Sequence, residues 1–208
     1  MRITLVVSRS LAQPTADPVL GMTMEEFIRR FDQEGAFEII DGEIVSRMAS
    51  VAGHTELIKQ LFMALMRAEL AGVGFVYSEA TFIIADRPDR VKGVRIPDLM
   101  FVSAAKMKGY RETTPDWQTK AFILVPDLVI EVVSPTDTYS DVQARVERYL
   151  RDGVRAVWVF DPARRAVDVH PADGSPYTLA GDSTLADAAL LPGWSLALKD
   201  LFASVEQP

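Results

Sequence analysis

Two acidic residues inside apolar strand segments are the first candidates for chemistry. Glu131 stands in the middle of residues 126–135, PDLVIEVVSP, where β-branched residues predict a strand buried on both faces. A carboxylate in such a strand costs several kcal/mol unless a cation or hydrogen bonds compensate it. Asp98 follows a proline at the start of a second apolar segment, residues 96–102, IPDLMFV. If the two strands are neighbours, the two carboxylates converge.

The chemistry that such a pair of carboxylates supports is metal binding. Oxygen ligands are those that hard divalent cations prefer, so Asp98 and Glu131 on adjacent strands indicate a site for Mg²⁺ or Mn²⁺. The alternative is that Asp98 caps a turn and Glu131 pairs with a buried arginine. The spacing of the two residues leaves both interpretations open.

The composition is typical of a soluble globular protein. The chain has 208 residues, of which 49% are hydrophobic and 25% charged, and this length suits one α/β or α+β domain. We expect residues 1–22 to form an N-terminal arm or edge strand and residues 23–208 to form the domain. No apolar run approaches the roughly 20 residues of a membrane span. The absence of cysteine excludes disulfides and thiolate metal sites, and the cytoplasm is the expected compartment.

The charge distribution favours a phosphate-binding region in an otherwise acidic chain. The net charge of −7 argues mildly against a protein that coats nucleic acid. Residues 87–111, however, contain seven basic side chains and only two acidic ones, and they bracket the Asp98 segment. The alternative is two solvated loops with incidental charge. The residues predicted to bind DNA in this region are Arg90, Lys92, Arg95, Lys106 and Lys108.

Several local signals predict the elements that position these residues. Asp41-Gly42 predicts a type I′ turn in a β-hairpin over residues 36–45, with Glu43 directly after the turn; the alternative for Glu43 is an exposed hairpin carboxylate. Apolar residues at helical spacing, from Ile58 to Leu70, predict a helix over residues 53–71. His54 lies at its start, either as a packed helix-end residue or as a ligand.

The second half of the chain alternates strands and helices. We expect a polar loop over residues 103–120 and then a helix that follows the Glu131 strand to about Asp152. A further buried strand at residues 156–160 implies a crossover to a parallel neighbour. A hairpin and a short closing helix are predicted for the C-terminal residues.

In this order, the segments resemble the Uma-type family of restriction-endonuclease-like proteins, within the PD-(D/E)XK nuclease superfamily. The resemblance covers about residues 23–203. The segments that carry it are Phe37-Glu-Ile-Ile-Asp-Gly-Glu43, His54, Ile96-Pro-Asp-Leu99, the run Pro126–Pro135, Asp141, Tyr149, Gly153-Val154 and Ala156-Val-Trp-Val-Phe-Asp-Pro162.

The resemblance implies a fold and a set of site residues. The fold is a mixed β-sheet flanked by helices, preceded by the N-terminal hairpin. Asp98 and Glu131 are the implied metal ligands, joined by the carbonyl of Val132, and Glu43 is a further catalytic candidate. His54 and Tyr149 are implied as additional site residues.

The catalytic cation departs from the superfamily pattern. The superfamily places a lysine two residues after the acidic ligand, where this chain has Val133. The Uma-type family places it on the next helix, four residues after Asp141 and four before Tyr149, and that position is Arg145. The alternative for Arg145 is a surface residue paired with Asp141.

These observations support two hypotheses of different classes. The first is a divalent-metal-dependent endonuclease that hydrolyses DNA phosphodiester bonds with metal-activated water. The second is a catalytically impaired nuclease-fold module that binds nucleic acid or protein partners. By analogy with restriction-type enzymes a homodimer is expected. The sequence has neither a Gly-rich phosphate loop nor a Gly-x-Ser-x-Gly elbow.

Overall fold

The computed structural model describes residues 22–46, 51–85, 87 and 89–205. The predicted N-terminal arm lies outside these residues, except that Met22–Thr23 forms a short strand against Arg90–Val91. The elements in chain order are β1 Met22–Thr23, α1 Met24–Glu34, β2 Phe37–Ile40, β3 Glu43–Ser46, α2 Ala52–Leu70, β4 Gly74–Ser78, β5 Phe82–Ile84, β6 Arg90–Val91, β7 Gly93–Arg95, β8 Leu99–Ser103, α3 Ala104–Thr113, β9 Leu128–Val132, α4 Tyr139–Arg151, β10 Ala156–Asp161, β11 Ala166–Pro171, β12 Tyr177–Ala180, β13 Thr184–Leu185, β14 Leu196–Ala197 and α5 Leu198–Val205.

The main sheet has six strands in the order β12-β11-β10-β9-β8-β4. Strands β9 and β10 are parallel and are joined by α4, as the strand–helix–strand pattern predicted. Strands β8 and β9 are antiparallel. All five residues of β9 are buried, which is the position that its β-branched sequence favours.

Helices cover both faces of this sheet. On one face α2 and α5 pack on a core that includes Ile130 and Trp158, and Trp158 stacks on Trp194 at 5.7 Å between ring centroids. On the other face Val146 and Tyr149 of α4 pack on the residues that alternate with these in β9 and β10. Because side chains alternate along a strand, Glu131 of β9 points to the face that α4 covers.

A second sheet of four strands, in the order β3-β2-β7-β5, carries the predicted hairpin. Asp41 and Gly42 have φ values of 50° and 87°, as a type I′ turn requires, so the turn is confirmed. The buried face of this sheet packs on α1 through Phe27, Phe37 and Ile39.

Two predictions about local structure were wrong. Residues 103–120 do not form a loop but contain helix α3 and a 3₁₀ turn at Trp117–Thr119. In α2, the helical spacing of the apolar residues predicts that Leu70 lies on the buried face, but Leu70 is the last residue of the helix and is 83% exposed.

A buried ion pair joins the second sheet to α4. Arg95 of β7 is only 5% exposed, and its Nε lies 2.8 Å from Oδ2 of Asp152, which caps α4. The same guanidinium donates to the carbonyl oxygens of Ile39 and Val94. Arg95 therefore fixes the second sheet relative to the helix that carries Arg145 and Tyr149.

Within the described part of the chain, no helix is both long enough and apolar enough to cross a membrane.

Candidate active site

The antiparallel register of β8 and β9 brings Asp98 beside the end of the Glu131 strand. Leu99 pairs with Ile130, so the residue before Leu99 lies next to Glu131 and Val132. The Oδ2 atom of Asp98 accepts a hydrogen bond of 2.8 Å from the Val132 N–H. Asp98 is 2% exposed and Glu131 is 6% exposed. The two strands are neighbours, and two carboxylates share one buried corner of the sheet.

His54, in the first turn of α2, reaches the same corner. Its Nε2 atom lies 2.9 Å from the carbonyl oxygen of Val132 and 3.3 Å from Oδ2 of Asp98. Both neighbours are acceptors, so Nε2 carries a proton. The hydrogen bond to Asp98 outweighs burial and raises the pKa of His54. The other ring nitrogen, Nδ1, is buried and has no hydrogen-bond partner among the described residues.

Glu131 is an acid that its surroundings keep protonated. Burial, with the nearby charge of Asp98, raises its pKa to about 8, although Arg145 and Tyr149 act in the opposite direction. The Tyr149 hydroxyl donates a hydrogen bond of 2.7 Å to Oε1 of Glu131. Burial and the Glu131 charge raise the pKa of Tyr149 well above its usual value, so the phenol remains a donor. Tyr149 therefore fixes the orientation of the Glu131 carboxyl.

Arg145 reaches inward from α4 and does not pair with Asp141. Its Nε atom lies 3.6 Å from Oε2 of Glu131. Its two terminal nitrogens donate to the two oxygens of Asp137, at 2.9 and 2.8 Å. Asp141 instead forms a capping box with Thr138 at the start of α4. The guanidinium therefore stands between the Glu131 carboxyl and a second carboxylate.

Glu38 is a carboxylate of this region that sequence reasoning missed. It lies in β2, and its Oε1 accepts a hydrogen bond of 3.0 Å from Ile96 N–H, two residues before Asp98. Its charge is among the causes that raise the pKa values of Glu131 and Tyr149. The predicted residue Glu43 lies on the same face of the hairpin but is exposed beside the turn. The local sequence contains no signal for Glu38, because it shares a face of the hairpin with Glu43 and only the contact with Ile96 distinguishes the two.

The residues predicted to bind DNA do not form one surface. Arg95 is buried in its pair with Asp152, so its side chain is not available to a duplex. Lys106 and Lys108 belong to α3, which follows β8, whereas Asp98 precedes β8. A five-residue strand is about 17 Å long, which separates these lysines from Asp98.

The individual basic residues also differ in their exposure and in the partners that their side chains contact. Lys106 donates to the Val125 carbonyl and pairs with Asp127 at 2.8 Å, whereas the Lys108 side chain is 78% exposed. Arg90 is partly buried in β6, and Lys92 is exposed between β6 and β7.

Comparison with known proteins identifies the family. A solved structure from Anabaena variabilis, described as a "putative nuclease", matches with a TM-score of 0.71 and 19% identity, over 88% of this chain and 99% of that one. At this identity the match shows a shared fold. No curated protein matches the chain. The family model Uma2, described as "Putative restriction endonuclease", matches residues 24–199. The chain belongs to the Uma2 family. The predicted family and the mixed-sheet nuclease fold are confirmed.

The donor atoms of this Uma2 chain fit a hard divalent cation. Asp98 and Glu131 offer carboxylate oxygens, and Val132 offers a carbonyl oxygen. The Nε2 atom of His54 contacts both Asp98 and the Val132 carbonyl, which shows that these two oxygens face one point. Within the described residues, no group of three or more His, Cys, Asp or Glu side chains is close enough to hold a metal. Mg²⁺ suits such a sparse set, because it usually keeps several of its waters.

Proposed function

We propose that this Uma2 protein is a divalent-metal-dependent endonuclease that hydrolyses DNA phosphodiester bonds. The observation that carries the proposal is the shared buried corner of Asp98, Glu131 and the Val132 carbonyl, with the Arg145 cation beside it. Two carboxylates in one desolvated corner repel each other, as the raised pKa of Glu131 reflects. A divalent cation removes that repulsion. The description of the family as "Putative restriction endonuclease" and that of the matched structure as a "putative nuclease" support the proposal.

The residues that would hold the metal are Asp98, Glu131 and, through its carbonyl, Val132. A bound Mg²⁺ or Mn²⁺ supplies a Lewis acid that lowers the pKa of a bound water and polarises a phosphoryl oxygen. In the free protein the His54 N–H bonds to two of these oxygen donors. We therefore expect protonated His54 to compete with the cation at low pH.

Two side chains have separate parts in hydrolysis. Tyr149 holds the Glu131 carboxyl in one orientation through its 2.7 Å hydrogen bond. Arg145 remains protonated at any working pH, so it is not a general base but donates hydrogen bonds to the phosphate as charge develops there. Its Nε–H is buried and has no hydrogen-bond partner among the described residues, which leaves a donor for a phosphate oxygen.

The reaction that these groups serve is a balanced substitution at phosphorus. The oxygen of water forms a new bond to phosphorus, and the bond from phosphorus to one ester oxygen breaks. The water loses one proton and the departing oxygen gains one. In this proposal the cation of Arg145 stabilises the extra negative charge on the phosphate between these events.

The second candidate is a nuclease-fold module without turnover, and one observation favours it. Asp137 engages both terminal nitrogens of Arg145, so the charge of the cation is already paired with a carboxylate. In this case the protein would bind nucleic acid or a protein partner without cleaving it. The two candidates differ in turnover and share the fold.

The experiment that tests the proposal combines cleavage with metal binding. Wild type should nick supercoiled plasmid in Mn²⁺, Arg145→Ala should be about 10²–10³ slower, and Asp98→Ala should be inactive. Calorimetry should show that Mn²⁺ binds wild type and Arg145→Ala but not Asp98→Ala or Glu131→Ala. Nicking at the same rate by wild type and Asp98→Ala would mean that the activity is a contaminant.

Other outcomes separate the two candidates. Wild type that binds Mn²⁺ and plasmid without nicking would favour the binding module. Unchanged Mn²⁺ affinity in both acidic variants would remove the metal site itself. Homodimer formation stays a prediction, which analytical ultracentrifugation would test.

A further inference from the structure

We infer that Asp137 is a positioning residue that fixes the Arg145 guanidinium in the active centre and makes arginine, rather than lysine, the cation that this site can use. The inference rests on the proposed function, because it concerns the cation of that reaction. It assigns a role to the segment that joins β9, the strand of Glu131, to α4, the helix that carries Arg145.

The contact between the two residues is a fork. Nη1 of Arg145 lies 2.9 Å from Oδ1 of Asp137, and Nη2 lies 2.8 Å from Oδ2. Two parallel hydrogen bonds fix the plane of a guanidinium as well as its position. An arginine held at its terminal nitrogens has only its Nε–H edge and the outer N–H groups left for other partners.

That remaining edge faces the candidate metal site. The Nε atom of Arg145 lies 3.6 Å from Oε2 of Glu131, too far for a good hydrogen bond, and is buried without a hydrogen-bond partner among the described residues. Buried donors are nearly always satisfied in folded proteins. A phosphate oxygen beside Glu131 would satisfy this one.

Asp137 is itself tied to the strand that carries Glu131. Its Oδ2 accepts a hydrogen bond of 2.9 Å from the Ser134 N–H, and its own N–H donates to the Ser134 carbonyl at 3.0 Å. Ser134 lies two residues beyond the end of β9. Partial burial opposes ionisation of Asp137, but the hydrogen bonds from Arg145 and Ser134 prevail and lower its pKa. The carboxylate is therefore a fixed, charged support for the guanidinium.

A lysine at position 145 would not use this support in the same way. An ammonium group is a compact point charge, and it has no planar edge that can bind Asp137 on one side and face Glu131 on the other. Beside an ionised Asp137 it would form an ion pair there and point away from the phosphate. Removing the charge of Asp137 should therefore lower the cleavage rate of the protein that has Arg145 and raise the rate of the Arg145→Lys variant.

The test is whether Asp137→Asn slows cleavage when residue 145 is arginine and accelerates it when residue 145 is lysine. The plasmid-nicking rates of wild type, Asp137→Asn, Arg145→Lys and the double variant would be compared in Mn²⁺, with Glu147→Gln as the control. Glu147 is an exposed acid on α4, the helix that carries Arg145, so Glu147→Gln removes the same charge as Asp137→Asn. Asp137→Asn should be about 10²-fold slower than wild type, the scale for a misplaced catalytic group. The double variant should be at least about 10-fold faster than Arg145→Lys, a reversal that additive effects exclude.

Two controls show that the effect is positional. Melting temperatures should verify that all variants are folded, and calorimetry should give the same Mn²⁺ affinity for Asp137→Asn as for wild type. A rate for Asp137→Asn equal to that of Glu147→Gln would overturn the inference. So would a double variant that is slower than Arg145→Lys.

A measurement that does not need activity keeps this inference separate from the proposed function. The Arg145 Nε–H resonance can be assigned as the signal that disappears in Arg145→Lys. Its ¹⁵N relaxation should indicate a rigid side chain in wild type and a more mobile one in Asp137→Asn. A signal as mobile as those of exposed arginines would refute the fork even in an active enzyme. Inert wild type with a rigid Arg145 signal would overturn the endonuclease proposal while the fork stands.

Discussion

The raised pKa of Glu131 predicts that the metal-free protein becomes less stable as pH rises, and that Glu131→Gln removes this loss. The folded protein keeps a proton on Glu131 up to about pH 8, whereas the usual value for the unfolded chain is 4.5. Below that value both states are protonated and the group contributes no pH dependence. Between the two values only the unfolded state has lost the proton, so the free energy of unfolding falls with increasing pH.

The magnitude follows from the two pKa values. Each pH unit between 4.5 and about 8 is worth about 1.36 kcal/mol, so the total loss of unfolding free energy reaches at most about 5 kcal/mol. His54 acts in the same direction, because its raised pKa gives stability that is present below about pH 6.5 and is lost as the ring deprotonates. For Glu131→Gln, only the pH dependence that His54 causes should remain in the free energy of unfolding. At pH 8 the variant should be more stable than wild type.

Metal should stabilise wild type but not Glu131→Gln. Wild type gains the free energy of binding, about 2.7 kcal/mol when free Mn²⁺ is 100 times its dissociation constant, and the glutamine variant lacks the charge that binding needs. The effect of Mn²⁺ on wild type should be largest at high pH, where neither Glu131 nor His54 retains a proton.

Urea unfolding followed by tryptophan fluorescence measures both effects. Unfolding free energies would be collected from pH 5 to 8.5 in EDTA and again in excess Mn²⁺, for wild type and Glu131→Gln. Asp168→Asn, a substitution outside the site, controls for the removal of a carboxylate. Parallel pH profiles for wild type and Glu131→Gln in EDTA would refute the reasoning about a buried, protonated acid. An equal stabilisation of the two proteins by Mn²⁺ would show that Glu131 is not a ligand.

Three further predictions concern residues around the site. Glu38→Gln should weaken Mn²⁺ binding several-fold in calorimetry, because it removes a negative charge beside Glu131, whereas Glu43→Gln should not; equal effects would remove Glu38 from the site. Replacing buried Arg95 by methionine should lower the free energy of urea unfolding by at most about 3–5 kcal/mol, since the partly buried Asp152 carboxylate loses its partner. Fluorescence anisotropy in a salt series should show whether neutralising Arg90 and Lys92 together flattens the slope of log affinity for DNA, by up to about 0.9 for each phosphate that the variant no longer neutralises; an unchanged slope would exclude both.

The sequence could predict the metal-site strands because their signals are local. A β-branched run interrupted by one carboxylate identifies both a central strand and the residue on it that needs compensation. Strand pairing then follows from the order of the segments, and the pairing of Leu99 with Ile130 agrees with the predicted convergence. The Asp41-Gly42 turn was predictable for the same reason, since its backbone requirement belongs to two adjacent residues.

The parts that could not be predicted depend on long-range geometry or on competition between neighbours. Glu38 and Glu43 share one face of a hairpin, and only the packing against Ile96 distinguishes them. Asp141 has the ideal spacing to pair with Arg145 on a helix, but it caps that helix, and Asp137 from the preceding turn takes the guanidinium. Helical spacing could not reveal that outcome.

Two residues with the same local sequence show how tertiary partners separate a structural acid from a candidate functional one. Asp98 and Asp127 each follow a proline, each is 2% exposed, and each accepts a 2.8 Å hydrogen bond from a backbone N–H of the neighbouring strand. At the Asp127 end, Lys106 at 2.8 Å and Arg155 at 3.8 Å supply positive charge. Burial opposes ionisation of Asp127, but the hydrogen bonds from Lys106 and Ser103, with the charge of Lys106, prevail and lower the pKa of that carboxyl. At the Asp98 end the neighbours are His54, at 3.3 Å, and Glu131, a second acid whose pKa is raised by burial and by the charge of Asp98. The arginine nearest to that pair is already bound to Asp137, and the His54 ring is positive only when it is protonated, so this end has less positive charge than the Asp127 end. A divalent cation would supply that charge, which is why we place the chemistry at Asp98 and not at Asp127.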